Sequence, residues 1–108
     1  MLGVFLDLWD GKPEGFPTSN SWTFDYNLDI VRKAEAVGFN LAFSRMQWLR
    51  KGGYDGEASL DPFIALEEMA AATSRILLIS TIHVLYGLLH PLYHAKYGAT
   101  LDHISKGR

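Results

Sequence analysis

The sequence predicts an α/β fold, the first three βα units of a TIM (β/α)8 barrel, incomplete as a barrel. Three observations lead there. Short apolar runs alternate with segments of helical period three times along 108 residues, and repeated strand–helix order implies parallel strands with right-handed crossovers. The third run, RILLISTIHV, is rich in branched apolar residues and too continuous to face water on either side. The connections are also asymmetric: strand leads to helix through long Gly-rich loops, whereas GFN and TSR turn helix back to strand within a few residues. In an eight-fold barrel the loops after the strands are the long, functional ones. A doubly wound nucleotide-binding sheet competes, but it would place a Gly-rich phosphate turn directly after its first strand, and WDGKPEGFP lacks that spacing. A complete barrel takes roughly 250 residues, so three units make about three eighths of one. Residues 1–108 are therefore expected to form a single partial domain.

Each element has its own justification. LGVFLDL is a short apolar run ending in the Gly- and Pro-rich loop WDGKPEGFPTSN, the pattern of a buried strand followed by a surface loop. DYNLDIVRKAEAVGF sets Ile30, Ala34 and Val37 at helical spacing with Val31 beside them, and Gly38 ends the helix. NLAFSRMQW is the second strand, and LRKGGYDGEASL the next Gly-rich loop. In DPFIALEEMAAATS, Asp61 is an N-cap and Pro62 the first helical residue, with Phe63, Leu66, Met69 and Thr73 marking one face. After the third strand, HPLYHAKYGATLDHIS starts a helix at Pro91 and lines up Tyr93, Tyr97, Leu101 and Ile104. Gly107 closes that helix as a C-cap glycine.

Composition narrows the class of function. With 48% apolar and 20% charged residues the chain reads as globular, and a net charge of -2 with both signs scattered offers no basic patch for nucleic acid or for a membrane surface. No run approaches the roughly 18 apolar residues of a membrane span. MLGVFLDLWDG lacks a charged leader and a small-residue cleavage site, so it reads as a strand rather than a signal peptide. There is no cysteine, which excludes disulfides and thiolate metal sites and suits a reducing compartment. The expected setting is cytoplasmic.

The stretch AAATSRILLISTIHVLYGLLHPLYHAKYGATLDHISKGR, with MLGVFLDL and AEAVGFNLAFS, resembles the N-terminal part of the bacterial luciferase-like, flavin-dependent monooxygenases. The nearest branch looks like the two-component enzymes acting on dimethylsulfide, alkanesulfonates, pyrimidines and aminopolycarboxylates, and KGGYDGE looks most like the dimethylsulfide group. The most specific element is the block running from the Thr-Ser-Arg-Ile strand start through His-Pro to Ala-Thr-Leu-Asp-x-Ile-Ser-x-Gly-Arg. In the family a fourth barrel strand follows that block at once, so the resemblance implies an N-terminal fragment or a truncated gene product.

The resemblance also implies a chemistry. Family enzymes bind reduced FMN supplied by a separate NAD(P)H-dependent flavin reductase, react it with O2 and insert one oxygen atom into a small molecule, which the dimethylsulfide likeness implies is an organosulfur compound. The cofactor carries the hard chemistry, while the protein holds the ring, excludes water and positions the substrate. By position, Met46 and Gln47 match flavin-contacting residues of the pyrimidine-oxidising relatives. Thr81, Ile82 and His83 match a segment lying against the ring, which in some members holds a non-prolyl cis peptide, assigned here to Ile82–His83. Each has a plainer reading. Met46 can be a core filler, Gln47 and Trp48 the start of a surface loop, Thr81 a local backbone partner, and His83 a hydrogen-bonded structural residue. By the same resemblance, the family's main phosphate-binding and catalytic positions lie largely beyond Arg108. Asp7 and Asp10 stand where relatives often carry neutral residues, and GLLHP is one residue longer than the usual stretch.

The remaining histidines read as structural. His90 and His94 are four apart, but a zinc site needs three or four ligands and no third shares the pattern; His90 before Pro91 fits an N-cap. His103 fits a solvated helix-end cation. Arg45, in a strand between apolar neighbours, faces either the loop side or a carboxylate partner, and in a complete enzyme could meet an anionic substrate or flavin phosphate. Three functions remain open: a piece of a flavin-dependent monooxygenase active only as the full barrel; a non-catalytic small protein forming a homo-oligomer through its open barrel edge; and a nucleotide- or flavin-binding domain of its own. The first implies that the isolated 108 residues bind reduced FMN weakly or not at all.

Overall fold

The computed structural model describes residues 1–6, 23–45, 60–81 and 90–108. Within them the chain runs β1 (Gly3–Phe5), α1 (Phe24–Ala36), β2 (Leu41–Arg45), α2 (Pro62–Ala72), β3 (Leu77–Thr81) and α3 (Pro91–Ser105). The three strands form one parallel sheet in the order β1-β2-β3. This is the predicted α/β class, three successive strand–helix units of barrel type. Across the sheet the register aligns Val4, Ala42 and Leu78 in one row and Phe5, Phe43 and Ile79 in the next, with β2 pairing on both sides.

The period of two along each strand separates two faces. Val4, Leu6, Ala42, Ser44, Ile76 and Leu78 look toward the helices, and Leu6, Ala42, Ser44 and Ile76 are buried there. With Val31 and Ala34 of α1, Ala65, Leu66, Met69 and Ala70 of α2, and Leu101 of α3, they make the core. Phe5, Leu41, Phe43, Arg45, Leu77, Ile79 and Thr81 share the opposite face, where Phe5 is 49% exposed. The sequence reading of β3 as buried on both sides therefore holds for one side. Leu77 and Ile79 stand on the face that the described residues leave uncovered.

Helix starts follow the expected chemistry. The Asp61 carboxylate accepts from the backbone N–H of Phe63 (2.8 Å) and Ile64 (3.2 Å), satisfying donors that the helix itself cannot. His90 caps α3, its Nδ1 accepting from Leu92 N at 3.1 Å. Gly38, at φ 91°, ends α1 in the left-handed region open to glycine.

Two predicted faces are corrected. Val37 lies one residue past the end of α1 and is 74% exposed, because the helix stops before its period reaches that position. On α3 only Leu101 of the predicted row is buried; Tyr93 is 63% exposed, and Tyr97 and Ile104 are exposed as well. Tyr93 and Tyr97 stack at 6.5 Å, and Phe63 of α2 lies 6.3 Å from Tyr97, so the two tyrosines lie along the helix layer while Leu101 alone of the row joins the core.

The turn from α2 into β3 is held from both sides. From α1, the Glu35 carboxylate accepts from the backbone N–H groups of Ser74 (3.0 Å), Arg75 (2.8 Å) and Ile76 (2.9 Å) and from the Ser74 hydroxyl. From beyond α3, the five N–H groups of the Arg108 guanidinium reach Ser105 O (2.6 Å), Thr73 Oγ1 (3.0 Å), Ile76 O (3.3 Å), Ala70 O (2.8 Å) and Thr73 O (3.0 Å). The anion takes the donors of the turn and the cation takes its acceptors.

Glu35 gives a pH prediction. Burial pushes its pKa up, but the N–H groups of Arg75, Ile76 and Ser74 and the Ser74 hydroxyl outweigh burial and hold it down at about 2, against 4.5 for the free side chain. A carboxyl with a depressed folded pKa stabilises fully above its unfolded pKa, and this contribution fades as pH falls from 4.5 toward 2. The chain should therefore lose urea resistance across that window. Glu35→Gln should be less stable at pH 7 by about 1–2 kcal/mol, with a flatter acid limb; urea midpoints from pH 7 to pH 2 check both.

Candidate functional site

Parallel strands bring their C-terminal ends to one edge of the sheet, the edge at which barrels of this class place their sites. Three residues mark it here: Leu6 just after β1, Arg45 ending β2 and Thr81 ending β3. Arg45 and Thr81 are register partners, and both belong to the face of Phe5, Phe43 and Ile79. A guanidinium and a hydroxyl thus stand side by side at the rim of an apolar surface. Phe5 and Phe43 support that surface, their ring centroids 5.0 Å apart at 40°.

One residue back on the opposite face, Ser44 and Ser80 are also register partners. Their hydroxyl oxygens are buried and have no hydrogen-bond partner among the described residues. Such groups cost about 1–3 kcal/mol each, and the alternation rule alone would have filled these positions with apolar side chains. Polar residues at helix-facing positions of a parallel sheet were the sequence signal.

Of the five residues predicted to contact a flavin, the structure places Thr81 at this rim, half-buried. Met46 and Gln47, which follow Arg45 in sequence, and Ile82 and His83, which follow Thr81, lie outside the described residues. Asp7, Asp10, the KGGYDGE stretch and Gly87, Leu88 and Leu89 of GLLHP lie outside them too. His94 is not at the rim; it meets Phe63 edge-on, ring centroids 5.3 Å apart at 88°. Among the described residues no group of three His, Cys, Asp or Glu side chains is placed to hold a metal ion. No helix among them is long and apolar enough to cross a membrane.

Sequence reasoning also passed over Glu35 and the side chain of Arg108. For Glu35 a signal existed: a carboxylate in the last turn of a helix faces the negative end of the helix dipole, so its place there calls for donors from elsewhere in the fold. Both residues lie at the N-terminal edge of the sheet, the end of a barrel that serves stability.

Residues 5–108 match the profile of the luciferase-like monooxygenases. The chain belongs to that family. Among luciferase-like monooxygenases it is similar to the pyrimidine monooxygenase RutA of Pseudomonas syringae pv. syringae (strain B728a), 39% identical over 99% of this chain and 30% of the relative. RutA of Pantoea ananatis (strain LMG 20103) is 38% identical over the same shares. A solved structure of riboflavin lyase RcaE, with modified FMN and its substrate riboflavin, superposes with a TM-score of 0.77 at 25% identity, over 99% of this chain and 28% of that one. The chain thus spans about 30% of the length of the curated relatives it matches. Its place in the luciferase-like family is near the pyrimidine monooxygenases, a branch already among those that the sequence resembles.

Proposed function

We propose that residues 1–108 supply the first three strand–helix units, as a single partial domain, of a cytoplasmic two-component monooxygenase. Such an enzyme uses reduced FMN from a separate NAD(P)H-dependent flavin reductase to insert one oxygen atom of O2 into a small organic substrate. The observation that carries this reading is the pairing of Arg45 with Thr81 at the C-terminal rim, on the same face as Phe5, Phe43 and Ile79.

The residues present fit part of a flavin. The ring is flat and apolar over most of its area, with a polar edge of amide and carbonyl groups. An aromatic and aliphatic strand face suits the body of such a ring, and a threonine hydroxyl, which both donates and accepts, suits its edge. The dianionic phosphate is another matter, since barrels of this class place it at loops after the seventh and eighth strands. Reduced flavin, when bound, supplies the electrons that activate O2.

The chain's own contribution is binding and positioning. Thr81 holds the polar edge of the ring; Met46 and Gln47, which follow Arg45 in sequence, and Ile82 and His83, which follow Thr81, are proposed as its further contacts. Phe5, Phe43 and Ile79 exclude water beneath it, and a low-dielectric floor strengthens every polar contact above. For the substrate, similarity to pyrimidine monooxygenases favours a pyrimidine-like heterocycle over an organosulfur compound.

A test joins residues 1–108 to the remaining part of the Pseudomonas syringae relative and titrates reduced FMN anaerobically. The joined protein should bind saturably, Thr81→Val should weaken binding about tenfold through one lost hydrogen bond, and the 108 residues alone should bind weakly or not at all. Micromolar binding by the 108 residues alone would overturn the need for the remaining units.

A second reading is favoured by the uncovered face with Phe5, Leu77 and Ile79. As an isolated polypeptide, the chain would cover this face by forming a homo-oligomer without catalysis. Sedimentation would show an assembly that dissociates in Ile79→Lys, and a monomer at all concentrations would remove this reading.

A further inference from the structure

Each of the three strand–helix units contributes a different part of the junction at the α2–β3 turn. The first unit sends Glu35 to the N–H groups of Ser74, Arg75 and Ile76. The second presents the last carbonyls of α2, Ala70 O and Thr73 O, which its own helix cannot pair. Beyond α3, the third returns Arg108 to those carbonyls and to Ile76 O at the entry to β3. The hydrogen bonds cross 32 to 41 residues of sequence.

The Ser105–Arg108 block is shaped for this return. The Ser105 hydroxyl accepts from Arg108 N at 3.0 Å and lies 3.2 Å from Asp102 O and 3.1 Å from Arg108 O, either of which can take its proton. Lys106 at φ 60° and Gly107 at φ 84° then reverse the chain through the left-handed region, where a side chain at Gly107 would be strained. Serine, glycine and arginine of Ser-x-Gly-Arg thus each have a physical task, while the second position needs only its backbone.

We infer that this block is a clasp that couples the three units into one cooperative unfolding block. Stacked units in general open one at a time, each touching only its neighbours. Here α3 cannot leave without withdrawing Arg108, which strips donors from Ala70 O, Thr73 O and Ile76 O together. Likewise α1 cannot leave without withdrawing Glu35, which strips the acceptor from three N–H groups of the same turn. Every partial opening therefore damages the one turn that all the units share, and opening becomes all or none. The clasp is independent of any ligand at the opposite edge.

Native-state hydrogen exchange on the 108-residue chain, followed by NMR at increasing denaturant, tests this. The slowest amides of α1, α2, β3 and α3 should converge on one protection limit in the parent chain. In Ser105→Ala and in Arg108→Lys, α3 amides should lose at least about tenfold more protection than those of α1 and β2. Amides of α3 already exchanging tenfold faster than those of β2 in the parent would overturn the inference. So would variants that lower protection evenly throughout. Should either variant fail to fold, the parent pattern alone decides between convergence and independent opening.

Discussion

Arg108→Met should lower the unfolding free energy of the chain by about 3 kcal/mol. The guanidinium meets five acceptors, among them carbonyls at the end of α2 and the start of β3. Methionine keeps much of the volume and supplies no donor. Each net hydrogen bond is worth about 1 kcal/mol, and buried carbonyls left without donors cost more. Water can reach part of this half-buried site, which keeps the loss near the lower end of such a sum. Arg108→Lys should recover less than half of it, because an ammonium is a compact donor and cannot span the fork of Ala70 O, Thr73 O and Ile76 O. Urea unfolding at pH 7 separates the outcomes; equal midpoints for parent and Arg108→Met would show that water replaces the guanidinium without cost.

Leu66→Ala should cost a similar amount, about 3 kcal/mol, for a different reason. Leu66 is fully buried in α2, the helix that touches α1, β3 and α3. Its removal leaves a cavity bordered by neighbours from several elements, which cannot all relax inward together. Substitutions of this kind cost about 2–5 kcal/mol, rising with the cavity that remains. Against the roughly 5–15 kcal/mol expected for a domain of this length, either change removes a large part of the margin. Ile64→Ala makes the control: Ile64 lies on the same helix but is 69% exposed, so its loss should move the midpoint little.

Much of the fold was legible because it rests on local chemistry. Asp61 before Pro62, His90 before Pro91, and Gly38 each state where a helix begins or ends, and the structure uses them; at the end of α3 the left-handed cap falls on Lys106, one residue before the expected Gly107. Strand-helix alternation gave the parallel sheet. Less legible was what each face meets. Val37 and Tyr93 satisfy a helical period, yet the first falls past the helix end and the second packs along the helix layer. Periodicity names a face without naming its partner. Glu35 and Arg108 were invisible as a pair because their meeting point is a turn 35 or more residues from each in most of its contacts, and only the folded chain brings them together. At the candidate site, Thr81 was named from resemblance; its register with Arg45 came from the sheet.

In the proposed enzyme the C-terminal ends of β2 and β3 form a wall of a flavin site. The most direct measurement is a crystal structure of residues 1–108 joined to the rest of the Pseudomonas syringae relative, with FMN bound. The predicted result places the ring against the face of Phe43 and Ile79, with Thr81 within hydrogen-bond distance of its polar edge. A ring bound at the opposite edge, beside Glu35 and Arg108, or one touching no residue of this chain, would contradict it.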